Sequence, residues 1–374
     1  KLHCTQLNTT MLISKRGYPV ETHEVITADG YILTLIRILK RSSSAAKSPP
    51  VLLVHGISDS SDSWVVLEPK ESLAFLLADA GYDVWMTNAR GNKYSKKHVK
   101  KLSQKQYWDF SYEEMGTEDL PATIDFILQT TKTSQLSYVG YSQGTTIFFV
   151  LCSMKPEYNQ KIRQAILIAP VAWTGHLTFP FLDFWTTSID AVYALLTSIG
   201  IYDVFPDTPQ LNVLNAKVCG RNRMLLYLCQ LRHFFILGLS DIRRIPADSR
   251  STFASHIPAG TSSKTFVHFI KAITSKKFQR FDYGKERNQL VYKTVDPPDY
   301  DLSLVTTPVS LISSEADWFS DPADVKLLRG KLKSVVNSIK LDAGLGMTHA
   351  EFVYGIHAKQ LVNYPVLDIL DRTT

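Results

Sequence analysis

The stretch Leu136-Ser137-Tyr138-Val139-Gly140-Tyr141-Ser142-Gln143-Gly144-Thr145 decides the reading of this chain. Leu136 to Val139 is a short apolar run of strand character, and Thr145 to Met154 has the composition of a helix. Between them a serine stands with a glycine two positions away on either side. Such spacing permits a turn so tight that the serine hydroxyl is lifted above the end of a sheet, free to attack a carbonyl. The pattern alone is common. It gains force from a strand before it, a helix after it and chemical partners downstream.

Those partners come in the order serine, acid, histidine. Asp317 follows the apolar strand Pro308 to Ser313, and His349 follows a second strand, Val335 to Leu341, in a loop marked by Gly344 and Gly346. In an open α/β sheet such loops share the carboxyl edge of the strands, so Ser142, Asp317 and His349 are expected to converge as a catalytic triad. Each has a competitor. Glu315 lies close to Asp317 and stays open as the acid. Asp321, ahead of Pro322, reads better as a helix N-cap. His55 reads as a structural loop histidine, and His357 as a surface residue on a helix. An oxyanion formed on the substrate needs two donors, for which the backbone N–H groups of Gln143 and Ile57 are the candidates, with Gly56 allowing close approach. Losing one such donor typically costs roughly 2.7–4 kcal/mol of transition-state stabilisation.

Outward from this centre the chain divides into three. Residues 18–40 read as a β-hairpin turning at Asp29-Gly30. From Pro50 to about Pro170 strands alternate with helices, which means βαβ units and a parallel sheet; Asp119 with Pro121 reads as the start of one helix. From Val171 to Val305 the rhythm breaks into a stretch rich in Trp, Phe, Tyr and Leu, with helical pieces at 189–198, 223–237 and 265–274. Pro308 resumes the sheet. The expected organisation is an α/β-hydrolase body, 1–170 and 306–374, interrupted by a mainly helical cap, 171–305. The aromatics Trp173, Phe179, Phe181, Phe184, Trp185, Tyr193, Tyr202, Phe205, Tyr227, Phe234 and Phe235 mostly form the cap's own core, with some expected to face an acyl tunnel or a lipid surface.

The motifs resemble the acid lipases, the gastric and lysosomal enzymes, over nearly the whole chain. The matching stretches are Gly17-Tyr18-Pro19, Asp29-Gly30-Tyr31-Ile32-Leu33, His55-Gly56, Leu73 to Phe75, Ala78 to Trp85, Asn88-Ala89-Arg90-Gly91-Asn92, Asp119 to Phe126, Ser142 to Thr146, Pro258 to Ser262 and Asp321-Pro322. The resemblance implies the same triad positions, a cap over the site, cleavage of triacylglycerols or sterol esters, an acidic working pH and a bridge between Cys219 and Cys229. Three departures bear on substrate preference: Tyr141 stands where the family commonly has His, Ile57 where it has Leu, and the acid lies in Glu315-Ala316-Asp317-Trp318.

Composition agrees. With 374 residues and 45% apolar content the chain can bury a large core, and no run approaches the ~18 uninterrupted apolar residues of a membrane span. The chain begins Lys1-Leu2-His3-Cys4, the pattern of a processed product or a trimmed chain. The net charge is +6. Lys93, Lys96, Lys97, Lys100, Lys101 and Lys105 cluster, a solvated face or a surface for anionic lipid, and no nucleic-acid motif accompanies them. Cys152 reads as a buried free thiol and Cys4 stays unassigned. Asn8-Thr9-Thr10 is a glycan acceptor in a secreted chain. The expectation is a monomeric enzyme of the secretory pathway, secreted or lysosomal, that needs no cofactor or metal and works at a lipid–water interface. The rivals are a short-chain carboxylesterase or thioesterase, and a lipid carrier without catalysis.

Overall fold

The computed structural model of the protein describes residues 7–39, 49–177, 182–219, 225–230 and 241–372. Cys4, the Ser42–Ser48 loop, Phe179, Phe181, Phe234, Phe235 and Ile236 lie outside the described residues.

A nine-stranded sheet organises the chain. Strands β1 (Val20–Ile26) and β2 (Tyr31–Ile38) form the antiparallel hairpin expected around Asp29-Gly30. The strands β3 (Val51–Val54), β4 (Val84–Met86), β6 (Leu136–Tyr141), β7 (Ile162–Ile168), β10 (Val309–Ser314) and β11 (Val335–Leu341) follow. They pair in parallel in the order β4-β3-β6-β7-β10-β11, with β2 antiparallel to β4. A two-residue strand, β5 (Lys97–His98), joins β2 from the side.

The short central strands are apolar because both their faces are covered. Val51 and Leu53 enter one core, while Leu52 and Val54 enter the other. Tyr141 and Val139 of β6 point to the first, Tyr138 and Leu136 to the second. This period of two is what a pleated strand imposes. The chain runs from β3 outward to β4, then crosses back to place β6 on the other side of β3. That reversal leaves a crevice outside the carboxyl ends of β3 and β6, where open α/β sheets bind ligands.

One helix is longer than the sequence suggests. Asp119 does not start it: residues 112–131 are continuously helical through a π-turn at Met115–Asp119. Pro121 has no N–H to give, and the wider turn absorbs the missing bond. The Asp119 carboxylate is instead taken by Arg90, at 2.7 Å to Nε and 3.1 Å to the backbone N–H.

Between β7 and β10 the chain leaves the large sheet. Helices Leu182–Ser198 and Ser263–Ser275 pack on each other through Ile189, Val267, Ile270 and Ile273, with Trp185 and Tyr193 at the margin. Two-residue strands β8 (Asp203–Val204) and β9 (Thr261–Ser262) pair antiparallel beside them. Trp173 and Tyr202 pack instead against the second core of the large sheet.

Candidate active site

Ser142 sits directly after β6 with φ 54° and ψ −119°, a conformation that a residue with a side chain keeps only when its surroundings force it. The glycines supply the force. A Cβ on Gly144 would lie 2.4 Å from the Val54 carbonyl oxygen, and one on Gly140 would lie 2.8 Å from the Gly144 carbonyl oxygen. Backbone from β3, β6 and the following helix (Gln143–Met154) is therefore in mutual contact under the serine. The Ser142 N–H donates to Ile168 of β7 at 3.0 Å, which ties the elbow to the next strand.

The three residues expected to converge do so. His349 Nε2 lies 2.7 Å from Ser142 Oγ, and its Nδ1 lies 2.8 Å and 3.1 Å from the two oxygens of Asp317. Asp317 is 1% exposed. Its Oδ1 also accepts the N–H groups of Phe319 and Ser320, at 2.9 Å and 3.1 Å. These bonds fix the carboxylate, which fixes the imidazole with Nδ1–H toward it. Nε2 then keeps its lone pair for the serine proton.

The competitors fall elsewhere. Glu315 faces solvent and pairs with Lys340, which holds its carboxyl below the usual range. Asp321 caps the helix Pro322–Lys331 by accepting from the Ala323 N–H at 2.7 Å. His357 is exposed. His55 is buried, with Nδ1 2.7 Å from the Gly56 carbonyl oxygen and Nε2 3.1 Å from the Ala89 N–H. That pair requires Nδ1 to donate and Nε2 to accept, hence a neutral ring. Burial agrees, pushing its pKa down to about 4.

Ile57 follows β3 in the crevice, and Gln143 opens the helix after Ser142. Among the described residues neither backbone N–H is used by a backbone carbonyl. The Gln143 side chain is buried, with its amide 3.3 Å from Met115 Sδ, so the backbone N–H is what it offers the site.

One expectation needs revision. The lysine cluster is not one solvated face, because Lys93 turns inward to the buried Asp62 at 2.7 Å. Lys96 and Lys97 pair with Asp203 and Glu24. Sequence reasoning also passed over the reason for Asn88-Ala89-Arg90-Gly91-Asn92. Arg90, buried, bonds Asp119 and Asp29 and stacks 4.0 Å from the Tyr31 ring centroid. Asn88 and Asn92 brace the loop after β3 through Ser61 and the Asp59 carbonyl. Cys219 and Cys229 are joined by a disulfide, and Cys152 is a buried free thiol whose pKa burial raises to about 12. Among the described residues, His176, Asp321 and Asp324 offer donor atoms within 4.8 Å of one another. These are already engaged internally: Asp324 holds His176 Nδ1 at 2.8 Å, and Asp321 serves as the helix cap.

The sheet order, the elbow at the switch point and the converging Ser–His–Asp contacts define an α/β hydrolase. A family profile described as the alpha/beta hydrolase fold matches residues 49–344, and one described as a partial alpha/beta-hydrolase lipase region matches residues 9–68. Among known proteins, Lipase 3 of Drosophila melanogaster is 36% identical over 95% of this chain and 90% of its own length. Gastric triacylglycerol lipase of Rattus norvegicus is 36% identical over 97% of this chain and 91% of its own. A solved esterase from Thermogutta terrifontis shares the fold, with TM-score 0.52 at 14% identity over 94% of this chain and 99% of that one. The chain belongs to the lipases of the α/β-hydrolase fold, and its activity class is carboxylic ester hydrolysis.

Proposed function

We propose that the protein hydrolyses long-chain carboxylic esters, triacylglycerols or sterol esters, through an acyl-enzyme on Ser142. The observation that carries the reading is the unbroken line from Asp317 through His349 to Ser142. His349 Nε2 takes the serine proton as Oγ attacks the ester carbonyl, and the Ile57 and Gln143 N–H groups hold the oxyanion. His349 returns that proton to the departing alcohol. Water then enters by the same route, and the acid is released.

The preference for long chains rests on residues 171–305, which we take as a cap on a body formed by 1–170 and 306–374. Phe184 and Leu195 on the helix Leu182–Ser198, Ile199 just past its end, and Leu211 and Leu214 on the helix Pro209–Val218 are exposed, as are Tyr227 and Leu228. That much apolar surface suits a lipid–water interface. The relatives named triacylglycerol lipases support the same substrate class. No helix among the described residues is long and apolar enough to cross a membrane. The disulfide fits an oxidising compartment, so we place the protein in the secretory pathway, as a secreted or lysosomal enzyme. Asn8 is exposed and caps the helix Thr9–Lys15 through its carbonyl oxygen, which leaves its amide nitrogen for a glycan.

The test is hydrolysis of a long-chain triacylglycerol emulsion, a cholesteryl ester and a short-chain soluble ester across about pH 4–8, with Ser142→Ala beside the wild type. Activity on the long-chain substrates that disappears in Ser142→Ala is expected. Cleavage of the short-chain ester alone would instead mark a carboxylesterase, and silence on all three a lipid carrier.

A further inference from the structure

The loop that delivers His349 has little sheet to lean on. It follows β11, the last strand of the sheet, and residues 342–345 are exposed. The residue before the nucleophile reaches across to it. Tyr141 ends β6, its ring is buried, and its hydroxyl donates to the His349 backbone carbonyl at 2.9 Å. The ring centroid is 5.4 Å from that of the imidazole. A Cβ on Gly56 would come within 3.2 Å of the same tyrosine ring, so Tyr141 also packs against the turn that presents Ile57. A second phenol makes a parallel connection: Tyr354, on the short helix after His349, donates to the buried Asp59 in the loop that carries Ile57. Burial holds both phenols protonated, with the charges of Asp317 and Asp59 acting the same way on Tyr141.

We propose that Tyr141 is a positioning residue for His349, its hydroxyl setting the height of the imidazole over Ser142. His349 must keep 2.7 Å to Ser142 Oγ and 2.8 Å to Asp317 at once. Asp317 fixes one end of the ring, but an imidazole held at one nitrogen still tilts about that bond. The backbone carbonyl of His349 is the nearest handle from which its Cα can be held, and Tyr141 holds it from the nucleophile's own strand. A shift of serine and histidine relative to each other is thereby suppressed at its source, because both hang from β6. A misplacement of about 1 Å is enough to cost catalysis heavily.

This inference rests on the Ser142–His349–Asp317 reading, and its test is built to fail separately from it. Tyr141→Phe removes the hydroxyl and keeps the ring. Rates on a soluble ester are normalised to the sites titrated by a phosphonate ester, so unfolded molecules do not count. The expected result is a fall in kcat of about tenfold, the size of one lost neutral hydrogen bond, with KM unchanged. The downfield proton resonance of the His349–Asp317 bond is expected to shift or broaden in the same variant. Wild-type kcat per titrated site with an unmoved resonance would overturn the positioning role. So would a loss confined to the number of titratable sites, since that is a purely structural effect. Ser142→Ala is run in parallel: if it still hydrolyses the ester, the triad reading fails, whatever Tyr141→Phe does.

Discussion

Ser142 and His349 touch, yet they are held by different means. Ser142 stands at the centre of the sheet, after a strand buried at every position, and its place is dictated by backbone packed on backbone. His349 stands beyond the edge strand β11, most of which is partly exposed, and its place is dictated by side-chain hydrogen bonds. Arg244, from the chain between β7 and β10, donates to the carbonyls of Leu345 and Gly346 and pairs with Glu351 at 3.1 Å. Glu351 in turn accepts the Thr348 N–H, and Tyr141 takes the His349 carbonyl. Ser142 is thus built into the fold, while His349 is tied on afterwards. Rigidity at the centre comes from sterics that no rotamer change can relieve. At the edge it comes from bonds that can be cut singly.

Breaking the centre should therefore be severe and breaking the edge graded. Gly144→Ala puts a methyl group into the Val54 carbonyl, so β3 and the elbow must separate. We expect a loss of roughly 3 kcal/mol or more in denaturant unfolding, and ester hydrolysis down by at least about 100-fold. Arg244→Ala releases the edge loop without touching the core. It should lower kcat by about tenfold with little change in thermal midpoint, and a collapse in stability comparable to that of Gly144→Ala would erase the distinction.

A pH series sharpens the comparison with a smaller effect. His55 braces the centre as a neutral ring, with a pKa of about 4 in the fold against 6.5 for a free imidazole. Its contribution is full above pH 6.5 and is lost as pH falls through 4. Buried His268, lowered to about 3, acts in the same direction. Asp59 links the edge to the loop after β3, and burial raises it to about 6 from 3.8. Its contribution is full below pH 3.8 and is lost as pH rises through 6. His55 and Asp59 are each worth roughly 3 kcal/mol at the limit and oppose each other between about pH 4 and 6. Urea midpoints of Asp59→Asn should fall more steeply than wild type as pH drops across that window. Parallel curves would show that Asp59 is not the opposing group.

The same contrast explains what the sequence disclosed. The centre was legible because its constraints are local: Gly140, Ser142 and Gly144 within five positions, apolar strands before and after, and glycines that only a tight approach requires. Asp317 and His349 were legible as residue types in loops past strand ends. What held them was not, since Tyr141 with the His349 carbonyl, Arg244 with Gly346 and Tyr354 with Asp59 join positions a hundred or more residues apart. Asp119 was misread for a related reason. A Pro two places on has the look of a helix start, and neither the π-turn nor the distant Arg90 leaves a local mark. Lys93 looked like one surface charge among six because its partner, Asp62, is thirty-one positions earlier in the chain.

The most direct test of the account is intact-mass and peptide analysis after reaction with a long-chain phosphonate ester, which traps a nucleophilic serine in a tetrahedral adduct. We predict a single adduct on the peptide that contains Ser142, absent in Ser142→Ala and formed far more slowly in His349→Ala. An adduct on another residue, or none while the untreated protein still cleaves long-chain esters, would contradict it.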